Sequence, residues 1–185
     1  MNAIAIRNES LFEMTLKAAV IYDDFDFATR ATALLERAAA RAGETVQWAV
    51  KPWRLDVLRQ SSLGTVAEAD ATDADLLVLA LSQTPSPPAE LMAWLERWAA
   101  RRQTEDAAVM ALFPEEPGAA TRLWRELEQF AEQYGLAFLG SHNVRENGDS
   151  MRFVHQLWER RLPAALTPGS AADPPRPPRH WGINE

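Results

Sequence analysis

Short apolar runs alternate along the chain with longer segments in which apolar residues recur at helical spacing. The short runs predict five β-strands, at residues 16–22, 45–50, 76–81, 107–113 and 136–139. The longer segments predict helices at residues 27–42, 53–60, 89–102, 119–134 and 151–162. Residues 61–75 are rich in small and acidic side chains, and only a helical turn around 66–71 is expected there. Asp26 is placed to cap the first helix, and Gly135 is placed to end the helix at 119–134.

Strands that alternate with helices form parallel sheets with right-handed crossovers. The predicted fold class is therefore α/β, a three-layer α/β/α sandwich around a five-stranded parallel sheet of the flavodoxin-like kind, in the order 2-1-3-4-5. A C-terminal helix and a tail follow the sheet. The run at 76–81 is apolar on both faces, which predicts a place at the centre of the sheet. Pro52 is expected to end the second strand.

Changes in composition divide the chain into four parts. Residues 1–14 form an N-terminal extension, 15–140 the α/β domain, 141–162 a polar loop with the C-terminal helix, and 163–185 a proline-rich tail. Trp181 and Ile183 give the end of this tail an apolar pair, which predicts a docking tip on a flexible tether.

The overall charge and the residue types that are missing exclude several classes of function. The formal net charge of −7 argues against nucleic-acid binding, which needs clustered Lys and Arg. With no cysteine, the chain has no disulfide, thiolate metal site or cysteine nucleophile. No apolar run approaches the roughly 20 residues that span a bilayer, and the first residues lack the features of a signal peptide. We therefore expect a cytoplasmic protein with no membrane or nucleic-acid partner.

An acidic cluster at the end of the first strand is the strongest candidate for chemistry. Asp23, Asp24 and Asp26 follow that strand directly, and Glu115 and Glu116 follow the fourth strand at the same edge of the sheet. Open α/β sheets place their sites at this edge, and carboxylate oxygens suit Mg²⁺. The sequence predicts a divalent-cation site here, formed by Asp23, Asp24 and Asp26, and no other cofactor. The alternative is a solvated loop in an acidic protein, with Asp26 serving only as a helix cap.

Two of the predicted strands resemble those of response-regulator receiver domains. The run Val20-Ile-Tyr-Asp-Asp-Phe-Asp26 is similar to the first strand and acidic pair of that family, and Asp75-Leu-Leu-Val-Leu-Ala-Leu81 is similar to its third strand. The resemblance covers about residues 16–139. It implies a receiver-like fold in a setting of bacterial-type signalling.

The same resemblance implies that phosphotransfer is absent. The phosphate-accepting aspartate of receivers aligns with Ala80, and a methyl group cannot accept a phosphoryl group. The family's hydroxyl residue at the end of strand four falls near residues 112–113, where no hydroxyl exists. Its lysine at the end of strand five falls near 139–141, where no lysine exists. The chain thus resembles a degenerate receiver, a pseudo-receiver.

Other catalytic arrangements have weak support in the sequence. His142 lies beside Ser141 after the fifth strand and could reach the edge that carries Asp23, but no Gly-x-Ser-x-Gly elbow accompanies them. His155 and His180 do not add a metal-binding spacing. The loop after the first strand is acidic and would repel the phosphate of a flavin or nucleotide.

The seven tryptophans suggest surfaces for protein partners. Trp94 and Trp98 share one helix face, where either a core role or an interface role is open. Trp53 and Trp181 lie beside proline or in the tail, and they are the better interface candidates. Trp48 is expected in the core.

The residues together favour a non-catalytic, receiver-like interaction module that binds a protein partner or a second copy of itself. The alternative is a small-molecule or divalent-metal binder, or a hydrolase, that uses the carboxyl edge of the sheet. Its residue set would be Asp23, Asp24, Asp26, Glu115 and His142.

Overall fold

Five parallel strands form a single sheet in the order β2-β1-β3-β4-β5. The computed structural model describes residues 14–42, 46–82, 87–113 and 120–141. The strands are β1 Met14–Tyr22, β2 Val46–Arg54, β3 Leu76–Ala80, β4 Ala108–Leu112 and β5 Ala137–Ser141. Both the strand order and the parallel pairing agree with the sequence prediction.

The helices lie on both faces of this sheet. They are α1 Phe25–Ala42, α2 Ser61–Ala71, α3 Ala89–Arg101 and α4 Ala120–Gln133, with a 3-10 helix at Leu55–Arg59 before α2. Alternate side chains of the strands pack against α1 on one face and against α2, α3 and α4 on the other. This is the layering of a flavodoxin-like α/β sandwich, as predicted.

The centre of the sheet is apolar on both faces. Every residue of β3 and β4 is buried, which explains why these strands read as continuous apolar runs rather than as alternating ones. Gly135 follows α4 with φ of 64°, and this left-handed conformation ends the helix as predicted.

A buried carboxylate joins β1 and β3 near the amino end of β3. The side chain of Asp75 is 1% exposed and accepts the backbone N–H of Lys17 at 2.8 Å. In return, the Asp75 N–H donates to the Lys17 carbonyl oxygen at 2.8 Å. Asp75 therefore fixes the relative position of β1 and β3 just before their pairing begins.

The sequence predictions for residues 52–71 were wrong. Pro52 does not end the second strand, because β2 continues to Arg54 and Pro52 pairs with Val20. The strand lies at the sheet edge, where a residue without an N–H is tolerated. The helix expected at 53–60 is replaced by the end of β2 and the short 3-10 helix, and α2 occupies 61–71, where only a turn was expected.

The C-terminal helix predicted at 151–162, the proline-rich tail and residues 1–13 of the N-terminal extension lie outside the described residues, whereas Met14 already belongs to β1. Within the described ranges, every helix is too short or too polar to cross a membrane.

Candidate functional site

The predicted site edge is formed by the carboxyl ends of β1 and β3. Tyr22, the last residue of β1, pairs with Ala80, the last residue of β3. The chain then turns at Asp23 and Asp24 into α1, and at Leu81 and Ser82 after β3. Asp23 and Asp24, two of the three aspartates predicted to form a cation site, are therefore present at the expected edge.

Asp23 bridges the loops that follow the two strands. Its Oδ1 accepts the backbone N–H of Ser82 at 2.7 Å and the Ser82 hydroxyl at 3.1 Å. The backbone N–H of Asp23 lies 3.4 Å from the Ala80 carbonyl oxygen. This carboxylate thus has a positioning role, and Ser82 is a partner that the sequence did not reveal.

Asp24, rather than Asp26, caps the first helix. Its Oδ1 accepts the backbone N–H groups of Asp26 at 2.8 Å and Phe27 at 3.3 Å. These are the donors at the second and third helical positions, which an N-cap side chain normally satisfies. The prediction for Asp26 was wrong by two residues. Asp26 instead lies exposed in the first turn, where its negative charge favours the helix dipole.

The described residues do not assemble a metal centre. Among them, no group of three or more His, Asp and Glu side chains is placed to hold an ion. Asp23, Asp24 and Asp26 alone therefore do not form the predicted Mg²⁺ site. Glu115, Glu116 and His142, which were expected to contribute to this edge, lie outside the described residues.

The end of β3, where the sequence resemblance predicted the position of a receiver's phosphate acceptor, is closed and apolar. Ala80 is 0% exposed and lies between Tyr22 on β1 and Leu112 on β4. Leu112 and Phe113, near the position of the family's hydroxyl residue, are buried as well. The local chemistry at the end of β3 and β4 is therefore that of a hydrophobic core.

Trp94 and Trp98 belong to the core and not to an interface. Both side chains are 0% exposed. The Trp94 Nε1–H donates to the Gly64 carbonyl oxygen at 3.1 Å, and the Trp98 Nε1–H donates to the Ala71 carbonyl oxygen at 2.8 Å. Because burial and hydrogen bonding use both indoles to hold α3 against α2, neither can be offered to a partner. Both leave the set of interaction candidates.

The other two predicted interface tryptophans have different positions. Trp53 is half-buried at the end of β2, where it packs against the core under α2 and α3. Trp181 lies outside the described residues.

Two cavities adjoin at Tyr22, near the carboxyl ends of β1 and β2. The smaller, of about 160 Å³, is lined by Tyr22, Asp23, Arg54, Leu55, Asp56 and Arg59. The larger, of about 310 Å³, is a groove between α1 and the end of β2. Sequence reasoning missed both. The smaller is shaped by the 3-10 helix at Leu55–Arg59, which has no periodic signal, and the larger depends on how α1 packs beside Pro52, which a single sequence does not show.

Comparisons with known proteins add no family: no family model matches the chain, and no curated protein sequence matches it. The resemblance to receiver domains stays a prediction from the residues at the ends of β1 and β3, and the fold is compatible with a flavodoxin-like sandwich.

Proposed function

We propose that this chain is a non-catalytic, receiver-like protein-interaction module in bacterial-type signalling or regulation, which cannot accept a phosphoryl group on aspartate. The single observation that carries the proposal is the buried methyl group of Ala80 at the end of β3. A phosphoryl acceptor needs a carboxylate there, open to solvent and to a cation.

The roles of the neighbouring acids support the same proposal. Asp23 accepts two hydrogen bonds from Ser82, and Asp24 accepts two from the first turn of α1. Asp23 thus holds the loop after β3 in place, and Asp24 caps α1. A receiver-like scaffold that keeps these acids for structure retains its fold without a covalent switch, and its surface is then what remains for function.

The phosphotransfer part is tested with a small-molecule phosphodonor. The full chain is incubated with acetyl phosphate and Mg²⁺ and then analysed by intact-mass spectrometry, with an active receiver domain as the positive control. We expect the control to gain a phosphoryl group and this chain to remain unmodified. A hydroxylamine-sensitive acyl phosphate on this chain would overturn the proposal.

The interaction part is tested by sedimentation equilibrium and by affinity capture. We expect either concentration-dependent self-association or a partner whose binding is weakened by Phe25→Ser, since Phe25 is 74% exposed. Val66→Ser is the matched control, because Val66 is also exposed but lies on α2, which packs on the other face of the sheet. A monomer at all concentrations, with no captured partner that is sensitive to Phe25→Ser, would count against the module.

A small-molecule or divalent-metal site at the carboxyl edge is the second candidate function. The cavity of about 160 Å³ beside Asp23 favours the small-molecule form of this candidate, because its carboxylates and two guanidinium groups could pair with polar groups of a ligand. A ligand bound only by the folded state raises its melting temperature by mass action. A rise with Mg²⁺ or Mn²⁺ that is lost in Asp23→Ala would favour this candidate, and no shift at millimolar metal would remove its metal-dependent form.

A further inference from the structure

The larger of the two cavities is an apolar groove between α1 and the end of β2. Tyr22, Phe25, Thr29, Thr32, Glu36 and Pro52 line most of its length. Thr29 and Thr32 donate their hydroxyl hydrogens to the carbonyl oxygens of Phe25 at 3.0 Å and Ala28 at 3.1 Å. Because the threonine donors are already used within the helix, the groove wall is mainly apolar. Glu36 supplies a negative charge at the end farthest from the start of α1.

The smaller cavity continues this groove beyond Tyr22 and offers positive charge. Its lining is formally balanced, with Arg54 and Arg59 against Asp23 and Asp56. Asp56 is paired with Arg54 at 2.8 Å, and Asp23 faces Ser82. Arg59 has no ion pair with any other residue in the described ranges. It is thus the cation here that an incoming carboxylate would meet.

We propose that the segment His180–Glu185 of this same chain docks along these two cavities, with Trp181 in the apolar groove and Glu185 against Arg59. The order of features agrees along both partners. Glu36, the apolar groove and Arg59 follow one another on the domain, and Arg179, Trp181 and Glu185 follow one another in the tail. Each charge on the tail meets its opposite on the domain.

The part of the groove that runs along α1 and the tail segment are similar in length. From Phe25 to Glu36, α1 rises about 16 Å at 1.5 Å per residue. An extended chain from Arg179 to Glu185 spans at most about 20 Å. The 38 residues 142–179 connect β5 to this segment, and they would span about 57 Å even as one continuous helix at 1.5 Å per residue. The connecting chain is therefore long enough for the tail to dock on its own domain.

This inference deepens the proposed function, because it names what occupies the docking face and what a protein partner must displace. It rests on the proposed function only where it says that a protein partner must displace the tail. A tail bound to Phe25 would hide the most exposed large apolar side chain among the described residues.

Photo-cross-linking from position 25 of the full chain tests the docking. Phe25 is replaced by p-benzoylphenylalanine, the protein is irradiated, and the cross-linked peptides are identified by mass spectrometry. We expect cross-links to residues 179–185 in material that runs at the mass of a monomer. The same photoreactive residue at Val66, exposed on α2, is the matched control and should not capture the tail. Cross-links only to a second copy, only to other segments, or none at all would overturn the proposal.

A charge swap separates specific docking from chance contact. Arg59→Glu and Glu185→Arg should each lower the yield of the cross-link from position 25 several-fold, and the double variant should restore it. Trp181→Ala should nearly abolish it. Yields in the Arg59→Glu, Glu185→Arg and Trp181→Ala variants that equal the yield of the parent protein would overturn the proposal. If the tail is never cross-linked to position 25 but a partner still binds, only this inference is contradicted. An acyl phosphate on the chain would instead contradict the proposed function.

Discussion

Asp23 and Ser82, 59 residues apart in sequence, are joined by two hydrogen bonds to a single carboxylate oxygen. This contact ties the turn after β1 to the turn after β3 at the edge where α/β sheets usually place their chemistry. The acid that most resembles a cation ligand is therefore used to hold the backbone of a neighbouring loop.

Removing the Asp23 carboxylate should destabilise the fold. We expect Asp23→Ala to lower the free energy of unfolding by about 2 kcal/mol and Ser82→Ala by about 1 kcal/mol, because hydrogen bonds to charged groups contribute more than neutral ones. Urea denaturation followed by circular dichroism measures both. Asp26→Ala, on an exposed side chain in the same region, should change stability by no more than about 0.5 kcal/mol. Equal effects of Asp23→Ala and Asp26→Ala would show that the bridge to Ser82 contributes nothing.

The cap of α1 gives a second test at the same edge. Asp24→Ala removes the acceptor of two helix N–H groups and should cost about 1 kcal/mol, whereas Asp24→Asn keeps an acceptor and should cost only a few tenths. Chemical denaturation of the two variants side by side measures the difference. If the alanine variant were no less stable than the asparagine variant, Asp24 would not be the cap.

The strands were predictable because each is a short, dense apolar run whose meaning does not depend on distant residues. Every residue of β3 and β4 is buried, so the runs at 76–81 and 107–113 had few alternatives. Pro52 shows where such reasoning stops. Proline usually ends a strand, and only the place of β2 at the edge of the finished sheet makes it acceptable.

The candidate site was predictable in location but not in role. Asp23 and Asp24 follow β1 as expected, yet their hydrogen bonds depend on a loop 59 residues away and on a helix that begins two residues earlier than its apolar pattern indicates. The apolar periodicity of α1 starts at Phe27, because exposed Phe25 does not contribute to the buried face. Side-chain partners of this kind have no signal in a single sequence.

Gly64 is required by a close approach and not by a turn. A Cβ added there would lie 2.6 Å from the Leu58 carbonyl oxygen, so the helix could accept it only by moving away from the 3-10 helix. Gly64→Ala should therefore destabilise the protein by about 1–3 kcal/mol, even though alanine favours an isolated helix by about 1 kcal/mol. Thermal unfolding measures it, with Ser62→Ala on the exposed side of α2 as the control. A stabilised Gly64→Ala variant would contradict the packing of α2 against Leu58.

The core assignment of Trp94 can be separated from an interface role by comparing stability with binding. Trp94→Phe removes the bond to the Gly64 carbonyl oxygen and leaves a small cavity, so the free energy of unfolding should fall by about 2 kcal/mol. Partner binding or self-association, measured where the variant is fully folded, should not change. Phe25→Ser should show the opposite pattern. A Trp94 variant with wild-type stability and weakened association would return this residue to the interface candidates.

The acid range should reveal the ion pair between Lys17 and Asp73. The hydrogen bond from Lys17 is the main reason that the pKa of Asp73 lies below its ordinary value, with smaller favourable contributions from the charges of Lys17 and Lys51. A depressed carboxyl pKa contributes stability that is present above the unfolded value and is lost as the pH falls through the folded one. Asp73→Asn should thus lower stability by less than about 1 kcal/mol near pH 7, since both side chains are about half exposed, and by progressively less below about pH 4. Urea denaturation from pH 7 to pH 2.5 measures this difference. In a Lys17→Gln background, the effect of Asp73→Asn on stability should depend much less on pH. If the effect of Asp73→Asn instead grew as the pH fell, its sign would be opposite to the one expected, and the ion pair could not be its source.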